Sequence, residues 1–194
     1  MGVSHFFAYV SRMKFIRRWG LMRNALPENT QEHSLQVALI AHALAVIRNR
    51  LFKGTVNPER VALLAVFHDA GEVITGDLAT PIKTFNPEIK AAYRRLEDVA
   101  RERLLGMLPE ELKPDYRPLL FAQDADREHW QLVKAADKIA AHLKCVEERQ
   151  CGNHAFVKAE KALKRTIDGL ELDEVRYFMD TYAGSFLLTL DELN

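Results

Sequence analysis

The segment Val61-Ala62-Leu63-Leu64-Ala65-Val66-Phe67-His68-Asp69-Ala70-Gly71-Glu72 decides how this chain is read. An unbroken apolar run, Val61 to Phe67, ends directly on a histidine and an aspartate, with a glutamate three residues further on. The run is that of a buried helix, and burying an ionised carboxylate is costly unless a cation or hydrogen bonds compensate. A metal ion is a natural compensation, because imidazole and carboxylate are both good ligands for divalent cations. Glu72 follows His68 by four residues and so falls near the same helical face. Gly71 inside a helix costs ~1 kcal/mol relative to Ala, which a close approach by another element would explain. A bare His–Asp pair is equally compatible with a solvated helix terminus, and on these residues alone both readings stand.

Working outward, helix signals recur and strand-like alternation is absent. Residues 4–17 place Phe6, Tyr9, Val10, Met13 and Ile16 at helical spacing. Asn29 precedes Glu32 by three residues, a capping-box start for a helix to about Arg50. Asn57-Pro58-Glu59 opens a second helix to about Ile74, and Asn86-Pro87-Glu88 a third to about Met107, each with Asn as cap and Pro at the first helical position. Pro109, Pro114 and Pro118 bracket a short broken segment. Further helices are expected over about Asp126–Arg149, 154–168 and 172–182, with Gly54, Gly76, Gly152 and Gly169 in turns. Leu172, Val175, Phe178, Met179 and Tyr182 make the last of these amphipathic, which usually means core packing. The expected fold is all-α, a single domain over residues 1–194.

Composition narrows the function classes. The chain has 194 residues, enough for one well-buried core. Lys+Arg and Asp+Glu balance at 27 each, so nothing favours a DNA or RNA polymer as partner, while a local pocket for one small anion remains open. The apolar run Val61–Phe67 is far short of the ~20 residues of a spanning helix. Basic residues follow the apolar N-terminal stretch, the reverse of a secretory signal, so no membrane association and a cytoplasmic location are expected. Cys145 and Cys151 lack metal or redox spacing and read as reduced thiols.

Two other positions bear on the His68–Asp69 pair. His33 begins the helix after Asn29 and is unremarkable alone. Asp137 sits among alanines in Val133-Lys134-Ala135-Ala136-Asp137-Lys138-Ile139, a segment suited to tight packing, where an acid needs a partner. Lys134 or Lys138 could serve as ordinary helix ion pairs. The order His33, His68-Asp69, Asp137 resembles the H…HD…D signature of the HD-domain superfamily. The likeness extends through Ser4-His5-Phe6-Phe7, Arg17-Arg18-Trp19, Met22-Arg23-Asn24, Glu28-Asn29-Thr30, Glu32–Val37, Thr75–Lys83, Ser185-Phe186 and Leu190-Asp191-Glu192. These segments resemble bacterial 5′-deoxynucleotidases of the YfbR type over nearly the whole chain.

That resemblance implies a single-domain HD helical bundle that hydrolyses deoxyribonucleoside 5′-monophosphates. It implies His33, His68, Asp69 and Asp137 as ligands of one divalent metal, and imidazole ligands suit cobalt, manganese, iron or zinc. Glu72 is implied as general acid/base and Arg18 as a phosphate-binding, catalytic residue. Trp19, Asp77 and Thr80, with His33, Asp69 and Asp137, would line the substrate site. A homodimer is also implied. Only His129 lies between the HD pair and Asp137, ~12 Å from the latter at 1.5 Å per helical residue, so a second metal is not expected. His42 is half a turn out of phase with His33 and His142 is off the face of Asp137. His5, His129 and His154 read as surface or packing residues. Rival readings are HD hydrolysis of another small phosphorylated metabolite or nucleotide, a non-catalytic nucleotide-binding module, and a structural bundle.

Overall fold

The computed structural model describes residues 3–83 and 85–194. Among these residues there is no strand, only an isolated antiparallel bridge between Arg17 and Asn29. The helices in chain order are α1 (Phe6–Val10), α2 (Thr30–Leu51), α3 (Pro58–Phe67), α4 (Glu72–Thr75), α5 (Thr80–Lys83), α6 (Pro87–Leu105), α7 (Lys113–Leu120), α8 (Arg127–Gln150), α9 (Val157–Asp168) and α10 (Asp173–Thr181).

The caps form as the sequence requires. Asn29 Oδ1 accepts from the amides of Gln31 and Glu32, both at 3.0 Å, and Glu32 returns a bond to the Asn29 amide at 3.2 Å. Asn57 and Asn86 accept from the amides of Arg60 and Ile89, with Pro58 and Pro87 in the first turn. These bonds satisfy amide groups that the helical ladder leaves free.

Two expected helices are corrected. Residues 4–17 form only α1 followed by a tighter 3₁₀ stretch, Ser11–Phe15. The helix expected to reach Ile74 stops at Phe67. His68–Gly71 continue as a tight turn, in which the amides of Ala70 and Glu72 bond to the carbonyls of Phe67 and Asp69. The break separates Glu72 from α3 and makes it the first residue of α4.

The long helix α2 packs against α3, α8 and α10. Val37, Ala41, Leu44, Leu64, Leu132 and Ile139 are fully excluded from solvent in this main core. Each such leucine contributes ~1.5–3 kcal/mol of burial free energy. Val175 and Phe178 of α10 join this core, while Tyr182 remains exposed. A second cluster sets Phe6 and Met13 against Ala70, Leu104, Leu105 and Leu120. Phe67 and Tyr116 touch both clusters. The His68–Gly71 turn therefore lies at the seam between two packed layers, a rigid place for reactive groups.

Candidate active site

The first turn of α2 points polar groups inward. Thr30 and His33 are fully buried and Ser34 nearly so. Across from them, His68 caps α3, and its Nδ1 lies 2.7 Å from the Ala65 carbonyl oxygen. Only an N–H can face that carbonyl, so the proton of the neutral ring is on Nδ1 and the Nε2 lone pair is left over. Nε2 is buried without a hydrogen-bond partner, yet lies 3.1 Å from Asp69 Oδ2. A lone pair facing a carboxylate oxygen requires a positive charge between or on them. The His33 ring is 5.6 Å from the His68 ring between centroids, and its Nδ1 is likewise buried without a partner.

Ligand atoms of His33, His68 and Asp69 all lie within 4.8 Å of one another. Asp137 stands at the edge of this group, with Oδ1 3.1 Å from His33 Nε2 and Oδ2 accepting from Lys138 Nζ at 2.7 Å. Asp137 thus has Lys138, one of the two helix ion-pair partners its sequence context left open, and in addition His33 of α2. Two imidazoles and two carboxylates, with His68 oriented by a backbone carbonyl, are a donor set that fits a divalent transition ion.

At His68, Asp69 and Asp137 burial opposes charge, but mutual attraction prevails. His68 is raised to about 9, chiefly by the Asp69 carboxylate. Asp69 is lowered to about 2, chiefly by His68. Asp137 is held well below the usual carboxylate range by the His33 hydrogen bond and Lys138. The pocket therefore keeps Asp69 and Asp137 ionised, with His68 as the positive charge beside Asp69 and Lys138 beside Asp137.

Arg18, Glu72 and, through Lys83, Asp77 adjoin this cluster. Arg18 Nε donates to Glu28 Oε2 at 3.0 Å, and its Nη1 lies 3.5 Å from Asp69 Oδ2. Trp19 adopts a left-handed φ of 57°, packs edge-on against Phe156 at 5.2 Å, and leaves Nε1 buried without a partner. Glu72 is 8 % exposed and accepts from Thr30 Oγ1 at 3.2 Å. Burial, then the charges of Asp69 and Asp77, push its carboxyl up to about 8 against the pull of Lys83 and Arg18. Lys83 Nζ stands 3.7 Å from Glu72 and 3.6 Å from Asp77, over the Tyr93 ring. Gly76 turns the chain between α4 and Asp77 with φ of 72°, a conformation that favours glycine. Thr80 is exposed at the start of α5.

Other expectations resolve simply. His42 lies on the exposed face of α2, away from His33. His129 is a packing residue, with Nδ1 3.0 Å from Asp126 and Nε2 accepting from the Asn57 amide. His142 is buried, while His5 and His154 are exposed. A Cβ on Gly71 would meet Arg101 Cγ at 3.6 Å, an ordinary contact, so the expected close approach does not force glycine there. Nothing in the spacing of Glu28, Thr30 and Lys83 marks them as partners of Arg18 and Glu72. A cavity of about 500 Å³ lies elsewhere, lined by His142 of α8 and by Glu160, Lys161, Lys164 and Arg165 of α9.

The profile of the family described as 5′-deoxynucleotidase YfbR-like matches residues 5–186. A 5′-deoxynucleotidase of Vibrio cholerae is 56% identical over 194 residues, covering 100% of both chains. An HD-domain phosphohydrolase from Listeria innocua superposes with a TM-score of 0.81 at 23% identity, covering 96% of this chain and 90% of the other. The cyanophage S-2L HD phosphohydrolase DatZ, bound to dA and one catalytic Zn²⁺ ion, gives a TM-score of 0.66 at 19% identity, covering 92% and 96%. At those identities the two structures speak for the fold alone.

Proposed function

Since the chain belongs to the YfbR-like 5′-deoxynucleotidase family, we propose that residues 1–194 form one HD domain hydrolysing deoxyribonucleoside 5′-monophosphates to deoxynucleoside and phosphate. The observation that carries this reading is the convergence of His33, His68 and Asp69, whose ligand atoms all lie within 4.8 Å of one another. His33, His68, Asp69 and Asp137 would hold one divalent ion, with cobalt, manganese, iron and zinc all suited to the donors. When bound, the ion supplies an activated water and neutralises charge on the phosphoryl oxygens.

The chain's own groups do the rest. Arg18 already spends Nε on Glu28, which fixes the guanidinium plane and leaves its other edge toward Asp69 for the phosphate. Glu72, raised to about 8, keeps a proton near neutrality and can deliver it to the leaving 5′ oxygen. Thr30 and Lys83 hold that carboxyl in place. Trp19 would pack on the sugar and exclude a 2′-hydroxyl, while Asp77 and Thr80 would bind the sugar or phosphate. His33, Asp69 and Asp137 border the same substrate space.

Phosphate release from dAMP and dTMP against AMP and UMP, with and without chelator, tests the reading. Chelator should abolish release, and equal rates on ribose and deoxyribose substrates would refute the sugar selection. A cytoplasmic location is part of the same proposal. Among the described residues no helix is long and apolar enough to cross a membrane. A homodimer is supported by the exposed ridge of Leu35, Leu39 and Val46 on α2, which a second copy would cover.

A further inference from the structure

The segment from Trp19 to Glu28 has no helix or strand of its own. It is closed at its neck, where the Arg18 amide bonds to the Glu28 carbonyl at 3.0 Å beside the Arg17–Asn29 bridge. Such a loop must find partners for its backbone polar groups elsewhere. At its far end they come from Glu148, more than a hundred residues away on α8. Glu148 is fully buried and accepts from the amides of Ala25 at 2.8 Å and Leu26 at 3.0 Å. Lys144, 4 % exposed, donates both to Glu148 and to the Leu26 carbonyl. Asn153 Nδ2 bonds to Glu148 at 2.6 Å and to the Arg23 carbonyl at 2.7 Å.

A buried ion pair is poor evidence for stability, since well-packed apolar residues often do as well. What an apolar pair could not do is satisfy the amides of Ala25 and Leu26 and so fix where the loop runs. The residue whose placement depends most on this is Trp19. Its φ of 57° is strained for a bulky side chain and persists only if its surroundings over-determine it. Asn24 Nδ2 and the Met22 amide bond to its carbonyl, and Phe156, just beyond Asn153, supports its ring. Both ends of the clamp therefore converge on the indole.

From this geometry we infer that Glu148, with Lys144 and Asn153, is a positioning clamp that holds Trp19 and Arg18 over the site and thereby sets substrate affinity and sugar discrimination. The inference rests on the roles given above to those two residues. Burial alone would raise the Glu148 carboxyl, yet the hydrogen bonds from Lys144, Ala25, Leu26 and Asn153 lower it to about 2, so it remains an acceptor at any working pH.

The test uses the full chain carrying Trp130→Phe, which leaves Trp19 as the single indole because the chain has 2 tryptophans. Two clamp variants are compared in that background. Glu148→Gln turns an amide nitrogen toward a cluster of donors. The double variant Lys144→Met with Glu148→Leu replaces the pair by apolar groups and protects folding. In whichever variants retain the circular dichroism and metal content of the background, acrylamide quenching of Trp19 should rise about twofold. KM for dAMP should rise about tenfold with a smaller change in kcat, a pattern that marks lost positioning of bound substrate. The preference for dAMP over AMP should shrink toward that of Trp19→Ala. Folded double variants with quenching and KM indistinguishable from the background overturn the clamp. A background that shows no deoxy preference overturns the sugar reading instead, and quenching and KM still decide the clamp.

Discussion

Replacing Glu72 by Gln should inactivate the enzyme and, in the metal-free state, stabilise it. Gln keeps the volume and can still accept from Thr30 Oγ1, now 3.2 Å from the carboxyl. It cannot hold and release a proton, and loss of a general acid costs ~10²–10⁴ in rate, or ~2.7–5.4 kcal/mol at the transition state. The stability effect follows from the raised carboxyl, which titrates at an ordinary 4.5 in the unfolded chain and at about 8 when folded. Below pH 4.5 both states hold the proton and the group contributes no difference. Between 4.5 and 8 the unfolded chain has released it while the folded one keeps it, so folding weakens by ~1.4 kcal/mol per pH unit toward a ceiling of ~5 kcal/mol. Half of that, allowing for relaxation of the site, corresponds to a Tm gain of ~5–10 °C for Glu72→Gln in a domain of this size. Thermal unfolding in chelator at pH 9 and pH 5 measures it: a large gain at pH 9 and little at pH 5. Equal melting of wild type and variant at pH 9, or the same gain at both pH values, would refute the argument. Wild-type turnover by the variant would remove Glu72 from the chemistry altogether.

Three other outcomes can be checked alongside. Arg18→Lys loses the fork that contacts Glu28 and faces Asp69, and should lower kcat/KM for dAMP by at least about tenfold in steady-state assays. Asn29→Ala removes the cap at the head of the helix that carries His33, which should cost ~1 kcal/mol and lower Tm by ~2–4 °C by calorimetry. Leu44→Ala, fully buried on α2, should cost ~2–5 kcal/mol in urea unfolding without changing the metal stoichiometry of folded protein.

Much of this arrangement is legible in the chain because local chemistry decides it. Asn29, Asn57 and Asn86 mark helix starts by side-chain geometry that needs no tertiary partner, and each start is where the cap places it. The helix end at Phe67 was less legible, since the sequence from Val61 to Ile74 carries no proline and a 3₁₀ turn uses the same side chains as an α-turn. The four residues of α5 are too few to show a period. At the site, His68–Asp69 stood out through the contrast with the apolar run before it and Asp137 through its alanine neighbours, but both left an ordinary helix reading open until the resemblance joined them with His33. Lys144 and Glu148 did not, because a lysine and a glutamate four apart on a helix read as a solvated pair. Their burial comes from a loop more than a hundred residues away in sequence, whose path only the fold supplies.

On the proposed function, His33, His68, Asp69 and Asp137 share one cation. Anomalous diffraction from crystals of the active protein grown with Co²⁺ tests it most directly. A single strong peak per chain is expected, bonded by all four side chains and lost in His68→Ala together with activity. A peak bonded elsewhere, or an active crystal with no ion between His68 and Asp69, would contradict it.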